Sequence, residues 1–293
     1  MTAAGSNSPS PSNGGRVEEI LVLYGSQTGN SEAAAHEICS LLPTKLSPPD
    51  SGATSSSSTT PRRVITSRVM HLDDFLEIEM ARWTRLVIIV TSSYGVGQAP
   101  IGARKFRDVC YEILNRYDGA SDEATKVGGG DNADGTPRNK NSPQFLEGVH
   151  FALLGLGDSH YTTFFKNPTT IHRALTLGGA TLVGEVGKAD ASGTGNMEQS
   201  KVIDRWIENI WGELAKTVAD IDTTTVTSNS NAIHRADFLA RARDETWEIC
   251  LELFPEWRKK TAMANYASMM VGLYIPLLGI LVAILAHHFF LKA

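Results

Sequence analysis

Tyr24-Gly25-Ser26-Gln27-Thr28-Gly29-Asn30-Ser31-Glu32 sets glycines and small hydroxyl-bearing residues directly after the apolar run Ile20-Leu21-Val22-Leu23 and directly before a helical pattern. Strand, loop and helix start in that order aim backbone N–H groups and the positive end of a helix dipole at one point, the chemistry of a phosphate cradle. The loop holds no Lys or Arg and lacks the Gly-Lys-Ser/Thr ending of a triphosphate P-loop. It suits one terminal phosphate, not a Mg-bound triphosphate.

Two more loops end apolar runs in the same way. Thr91-Ser92-Ser93-Tyr94-Gly95-Val96-Gly97-Gln98 follows Leu86-Val87-Ile88-Ile89-Val90, and Gly155-Leu156-Gly157-Asp158-Ser159-His160-Tyr161 follows Phe151-Ala152-Leu153-Leu154. In open parallel sheets, ligands sit beyond the carboxyl ends of the strands, where strand order reverses. Three such loops converging there would offer one phosphate site and two aromatic faces for a planar ring.

Taken together, YGSQTGNSE, VTSSYG, LLGLGDSHYTTF, LGGA and the helix containing Trp206 and Trp211 make the chain resemble the flavodoxin-like FMN domain of the diflavin reductases. That is the family of cytochrome P450 reductase, sulfite reductase flavoprotein and methionine synthase reductase. The resemblance runs from about Glu18 to Leu214 and implies FMN as cofactor. It places the phosphate on the hydroxyls of Ser26, Thr28 and Ser31 and the N–H groups of Gln27, Gly29 and Asn30. Tyr94 resembles the inner aromatic against the isoalloxazine and Tyr161 the outer one. Gly95 and Gly97 would let backbone approach the ring edge. Ser92, Ser93, Leu156, Gly157, Asp158, Ser159, His160, Phe164 and Asp190 fall in or beside the loops that close over the flavin. No catalytic side chain and no metal ligand is implied.

The chain departs from the family where the flavin meets its partner. After Tyr94 it reads Val96-Gly97-Gln98-Ala99-Pro100 in place of acidic residues; Phe165 is followed by Lys166-Asn167-Pro168, His172 replaces an acid, and Lys188-Ala189-Asp190-Ala191 replaces adjacent acids. FMN binding survives these changes, but steering toward a basic partner should weaken.

The elements that must position these loops follow from periodicity. Strands are expected at 20–24, 64–70, 86–91, 150–155 and 180–186, with helices at 30–42, 73–80, 102–116, 168–177 and 197–218. Their alternation predicts an α/β fold, a flavodoxin-like, doubly wound, five-stranded parallel sheet in the order 2-1-3-4-5. Residues 1–16 read as a disordered arm, 17–218 as the FMN-binding domain, and the low-complexity stretches 43–62 and 118–143 as mobile insertions that cannot offset their ordering entropy.

Composition bounds the function. At 293 residues with 42% hydrophobic content the chain can bury a core, and its net charge of −5 lacks the basic face that nucleic acid requires. Cys39, Cys110 and Cys250 form neither a zinc pattern nor a disulfide framework, which points to a reducing compartment.

From Thr261 to Leu291 no Asp, Glu, Lys or Arg occurs, and 266–285 is dominated by Met, Val, Leu, Ile, Gly and Ala. A bilayer core needs roughly 20 such residues. Residues 263–291 therefore read as a transmembrane tail anchor, and Arg258-Lys259-Lys260 keeps the preceding domain cytosolic. The endoplasmic reticulum is the favoured membrane and the mitochondrial outer membrane the alternative. Residues 219–262 read as linker and stalk helix; whether that helix lies on the membrane or packs on the domain stays open.

With no pyridine-nucleotide fingerprint after residue 214, the expectation is a membrane-anchored FMN flavoprotein. It would take electrons from a separate NAD(P)H-dependent reductase and pass them to a membrane-associated acceptor. Two other readings stay open: a tail-anchored scaffold whose flavodoxin fold has lost FMN, and a small quinone or flavin reductase.

Overall fold

The computed structural model describes residues 17–47, 64–117, 144–226 and 230–259. The arm 1–16, residues 48–62 of the first insertion, all of the second insertion 118–143, and the segment 263–291 lie outside them. Among the described residues no helix is long and apolar enough to cross a membrane.

Each central strand is an unbroken apolar run that must be covered on both faces, which is why helices lie on both sides of the sheet. The elements run β1 (Val17–Gly25), α1 (Asn30–Leu46), β2 (Val64–His71), α2 (Leu72–Glu77), β3 (Leu86–Ser92), α3 (Arg104–Tyr117), β4 (His150–Gly157), α4 (Lys166–Leu177), β5 (Thr181–Leu182), β6 (Gly187–Asp190), α5 (Gln199–Val226) and α6 (Ser230–Leu253). All pairings are parallel, in the order β2-β1-β3-β4-β5, with β6 also on β4.

The two-residue period of the strands divides the core. Ile20, Val22, Leu86, Ile88, Val90, Ala152, Leu154 and Leu156 face Ala34, Ile38 and Leu42 of α1 and Ile207, Ile210 and Leu214 of α5. The intervening residues Leu21, Leu23, Val87, Ile89, Phe151 and Leu153 are also fully buried, on the opposite face. There Phe75, Trp83 and Phe106 form an edge-packed cluster with ring centroids 4.9–6.4 Å apart.

The 2-1-3-4-5 order agrees with the sequence expectation, but the single fifth strand over 180–186 is corrected. It shortens to Thr181–Leu182, Gly184 takes φ +65° beyond it, and a further strand begins at Gly187, outside the expected range. β5 pairs with His150 and Phe151 at the start of β4, whereas β6 pairs with Leu154 to Gly157 at its end. The sheet is therefore six-stranded, and β6 carries Asp190 to the carboxyl edge.

Two helices run longer than periodicity indicated. α1 continues through Pro43 to Leu46. Proline at this position cannot donate to the carbonyl of Cys39 four residues earlier, and the Ser67 hydroxyl supplies that bond from β2 at 2.8 Å. α5 continues past Val218 to Val226.

The chain divides into two units after Trp247. Within the first, residues 237–247 of α6 pack beside the amino ends of β3 and β4. Trp83 Nε1, just before β3, donates to Thr246 Oγ1 at 3.0 Å; Ala242 and Thr246 are buried, and Arg241 donates to the Gln144 carbonyl. The alternative left open for this helix is thus decided for residues 237–247. In the second unit Phe254 and Trp257 pack with centroids 4.7 Å apart, and Arg258 pairs with Glu248 at 3.3 Å.

Candidate functional site

All three loops meet at the carboxyl edge of β1, β3 and β4, where strand order reverses. β1 ends at Gly25, and α1 begins at Asn30 with Gly29 as its N-cap at φ +94°. Between them Ser26 N–H donates to Ile101 O at 3.1 Å, Gly29 N–H donates to Ser26 Oγ at 3.0 Å, and Gly29 O accepts from Ala33 N–H. The N–H groups of Gln27, Thr28, Asn30 and Ser31 donate to no acceptor among the described residues. Ser31 is 1% exposed, yet its hydroxyl makes no hydrogen bond to any described residue. Orphan donors at a helix N-terminus beside an unpartnered hydroxyl fit a phosphate. The Asn30 side chain is used differently: it donates to Gln199 Oε1 at 2.9 Å, and Gln199 Nε2 in turn donates to Ala189 O at 3.2 Å.

The ring loop is closed on itself. Tyr94 N–H donates to Gln98 O, and both Gly97 and Gln98 N–H groups donate to Tyr94 O. Gly97 takes φ +82°, and a Cβ there would lie 2.8–2.9 Å from Lys166 and Thr163 side-chain atoms, so only glycine lets this loop rest on the segment before α4. Gly95, at φ +53°, is exposed, and its carbonyl accepts from Thr163 Oγ1 at 3.2 Å. Tyr94 is half-buried and its hydroxyl accepts from Arg104 Nη2 at 3.4 Å.

Ser92 and Ser93 serve the scaffold. Asn167, fully buried at the start of α4, donates from Nδ2 to Ser92 O at 3.0 Å and to Thr91 Oγ1 at 3.2 Å, and from its N–H to Ser93 Oγ at 2.8 Å. Ser93 N–H donates to Leu156 O at 3.0 Å, tying the ring loop to the end of β4, where the Leu156 side chain is buried in the core.

In the third loop Phe164 lies over Gly157, where a Cβ would meet its ring at 2.8 Å, and Tyr161 is 54% exposed. Asp158 Oδ1 accepts from the Ser192 hydroxyl and from His160 N–H at 3.0 Å; the His160 ring lies at 3.0 Å from the same oxygen. Asp190 Oδ1 accepts from the N–H groups of Ser159 at 2.9 Å and Ser192 at 3.0 Å. These bonds latch the Tyr161 loop to the turn after β6.

The Ser192 hydroxyl bond, followed by those from His160, holds the Asp158 carboxyl below the usual range. Burial pushes the Asp190 carboxyl up, but the bonds from Ser159 and Ser192 outweigh it and leave it lowered. A lowered folded value stabilises above the unfolded value, here 3.8, and the contribution is lost as pH falls through the folded values. Asp73, whose carboxylate accepts the N–H groups of Arg104 and Phe106 at the start of α3, acts in the opposite sense, because burial raises it. FMN-loaded protein should therefore hold its flavin on acidification to about pH 4 and release it below, with flavin fluorescence recovering. An Asp158→Asn variant should weaken that acid step and leave the part carried by Asp190; an unchanged acid profile would discount the latch.

The resemblance did not identify Gln199, Asn167, Ser192 or Arg104. Asn167 and Ser192 stand close to residues it did mark, but a lone polar residue carries no periodic signal.

This chain matches the flavodoxin family model over residues 53–206 and belongs to that family. It is similar to the NADPH-dependent diflavin oxidoreductase 1 of Aspergillus fumigatus, at 29% identity over 63% of this chain and 22% of that protein. It is similar also to the bifunctional cytochrome P450/NADPH–P450 reductase of Bacillus cereus, at 26% over 67% of this chain and 14% of the relative. With the methionine synthase reductase of Caenorhabditis elegans the identity is 25% over 73% of this chain and 25% of the relative. The chain thus spans a quarter or less of the length of these curated relatives. Among solved structures, the oxidised flavodoxin 1 from Bacillus cereus is 14% identical, with 68% of this chain and 98% of that chain covered at a TM-score of 0.42. The cofactor of this site is FMN, and the free donors of the phosphate loop fit it.

Proposed function

We propose that this protein is a membrane-tethered FMN electron carrier that accepts electrons from a separate NAD(P)H-dependent reductase and delivers them to a membrane-associated acceptor. The observation that carries this reading is the convergence of four free N–H groups around the start of α1 with Tyr94 and the exposed Tyr161 at one edge of the sheet. When bound, FMN supplies the electron-transfer chemistry. The chain's own part is to hold the phosphate with Gln27, Thr28, Asn30 and Ser31, to set Tyr94 and Tyr161 about the ring, and to leave the ring edge open. The apolar stretch 266–285 and the basic Arg258-Lys259-Lys260 before it support anchoring with the flavodoxin unit in the cytosol, at the endoplasmic reticulum or else the mitochondrial outer membrane.

The full chain purified in detergent should be yellow, with equimolar FMN. NADPH alone should leave its absorbance unchanged, and addition of a diflavin reductase should bleach it. Rapid bleaching by NADPH alone would overturn the carrier reading in favour of a small reductase, and colourless protein that FMN cannot reconstitute would favour a scaffold. The full chain should also stay in the membrane pellet through a carbonate wash, whereas a chain ending at residue 260 should be released.

A further inference from the structure

The ring loop and α3 enclose a groove of about 460 Å³ lined by Tyr94, Gln98, Ala99, Arg104, Arg107 and Asp108. Two guanidinium groups one helical turn apart enter it. Arg104 donates to the Tyr94 hydroxyl at 3.4 Å, and Arg107 donates to Gly97 O and to the Tyr111 hydroxyl, each at 3.0 Å, while lying 4.9 Å from the Tyr111 ring centroid. Their acceptors are neutral, and neither arginine forms an ion pair with a described carboxylate.

That sets them apart from the basic side chains along the rest of the sheet and its helices that carry carboxylate partners. Arg68 pairs with Glu19 and Glu79, Arg85 with Glu18, Lys105 with Glu77, Arg116 with Glu112 and Lys201 with Glu198. In a chain of net charge −5, with acids in excess, two neighbouring arginines without a carboxylate partner stand out beside Tyr94, the residue assigned to the flavin ring. Other charges nearby do not cancel them. Asp108 subtracts one charge within the groove and the Asp73 carboxylate, bonded to backbone N–H groups at the start of α3, subtracts a second, while Lys166 against Gly97 adds one, so these groups with the two arginines sum to one positive charge. A guanidinium that donates to one neutral oxygen retains further N–H donors in a planar fork that matches a carboxylate.

We propose that this groove is the docking surface for an acidic redox protein, with Arg104 and Arg107 pairing with its carboxylates beside Tyr94. The proposal rests on the electron-carrier reading and supplies the chemistry of the partner. Charge complementarity of this kind speeds encounter and fixes orientation, both of which bring a donor or acceptor to the open ring edge.

The test is binding of a fluorescein-labelled decaglutamate peptide to the full chain in detergent, with and without FMN, read by fluorescence anisotropy. At low salt (~10 mM), where charges act over ~30 Å, decaglutamate should bind and decalysine should not, and the complex should dissociate at ~0.5 M salt. Arg104→Gln with Arg107→Gln should weaken binding about tenfold or more, and lysine at both positions should restore it. In the FMN-loaded protein, photoreduced flavin should be reoxidised by ferricyanide faster at low than at high salt, against the sign of the whole-chain charge. Preference for decalysine, binding unaffected by the double Gln variant, or a ferricyanide rate that rises with salt would each overturn the proposal. Tighter binding of a decathymidylate would overturn it in favour of a phosphate-backbone ligand. Failure to load FMN would strike the carrier reading alone, since peptide binding is read on the apoprotein as well.

Discussion

Replacing Ser31 by alanine should weaken FMN binding by about 10- to 150-fold while leaving riboflavin binding almost unchanged, because a hydrogen bond to a charged group contributes about 1.5–3 kcal/mol and each 1.4 kcal/mol is tenfold in affinity. Ser31 is buried at the first turn of α1, and its hydroxyl has no protein partner among the described residues. Removing the hydroxyl therefore takes away a bond that only the phosphorylated flavin makes. The N–H groups of Gln27, Thr28 and Asn30 remain, so some affinity for the phosphate persists. Thr28→Ala, in the same loop, should act in the same direction. Titration of the apoprotein with each flavin, followed by quenching of flavin fluorescence, checks this. Equal losses for FMN and riboflavin would place the phosphate away from this loop.

Gly102→Ala should destabilise the flavodoxin unit by about 2–4 kcal/mol and weaken FMN binding as well, since overpacking costs about 1–3 kcal/mol and a left-handed non-glycine residue about another 1 kcal/mol or more. Gly102 adopts φ +76°, and a Cβ there would sit 2.1 Å from Nδ1 and 2.7 Å from Cγ of the His71 ring. The ring has little room to retreat, because His71 packs on Tyr24 with centroids 4.4 Å apart. The strain would be passed to the phosphate loop through Ile101, whose carbonyl accepts the Ser26 N–H at 3.1 Å. His71→Ser in the same chain should recover much of the loss, since it removes the colliding ring while leaving only the φ penalty. Denaturant unfolding of the two single variants and the double variant measures that coupling. Additive losses would mean that the collision with His71 is not the cause.

The crevice and its use of three loops were legible because each loop is announced twice, by the apolar run that ends at it and by the glycines and hydroxyls that fill it. Ile20-Leu21-Val22-Leu23 is forced into a strand buried on both faces once a helix begins at Asn30. Asn167 is different: nothing local marks it, and its importance arises because α4 begins beneath a loop 74–76 residues away in sequence, where its amide fastens Thr91, Ser92 and Ser93. In sequence, Arg104 and Arg107 have the pattern of the solvated face of an amphipathic helix. They became a charged groove only when the ring loop folded against them.

The sequence by itself determined the order of the sheet and the meeting of its three loops at one carboxyl edge, since strands buried on both faces, turn glycines and helix starts are all local signals. Tertiary structure alone decided that the fifth strand ends before Gly184, that Ser67 completes the carbonyl freed by Pro43, and that residues 237–247 of α6 pack beside the amino ends of β3 and β4 through Trp83 and Thr246. The reason is the same in each case. Periodicity states which face of an element is apolar, but the end of a strand, the partner of a freed carbonyl and the surface that a mixed-charge helix rests on depend on groups brought together from distant parts of the chain.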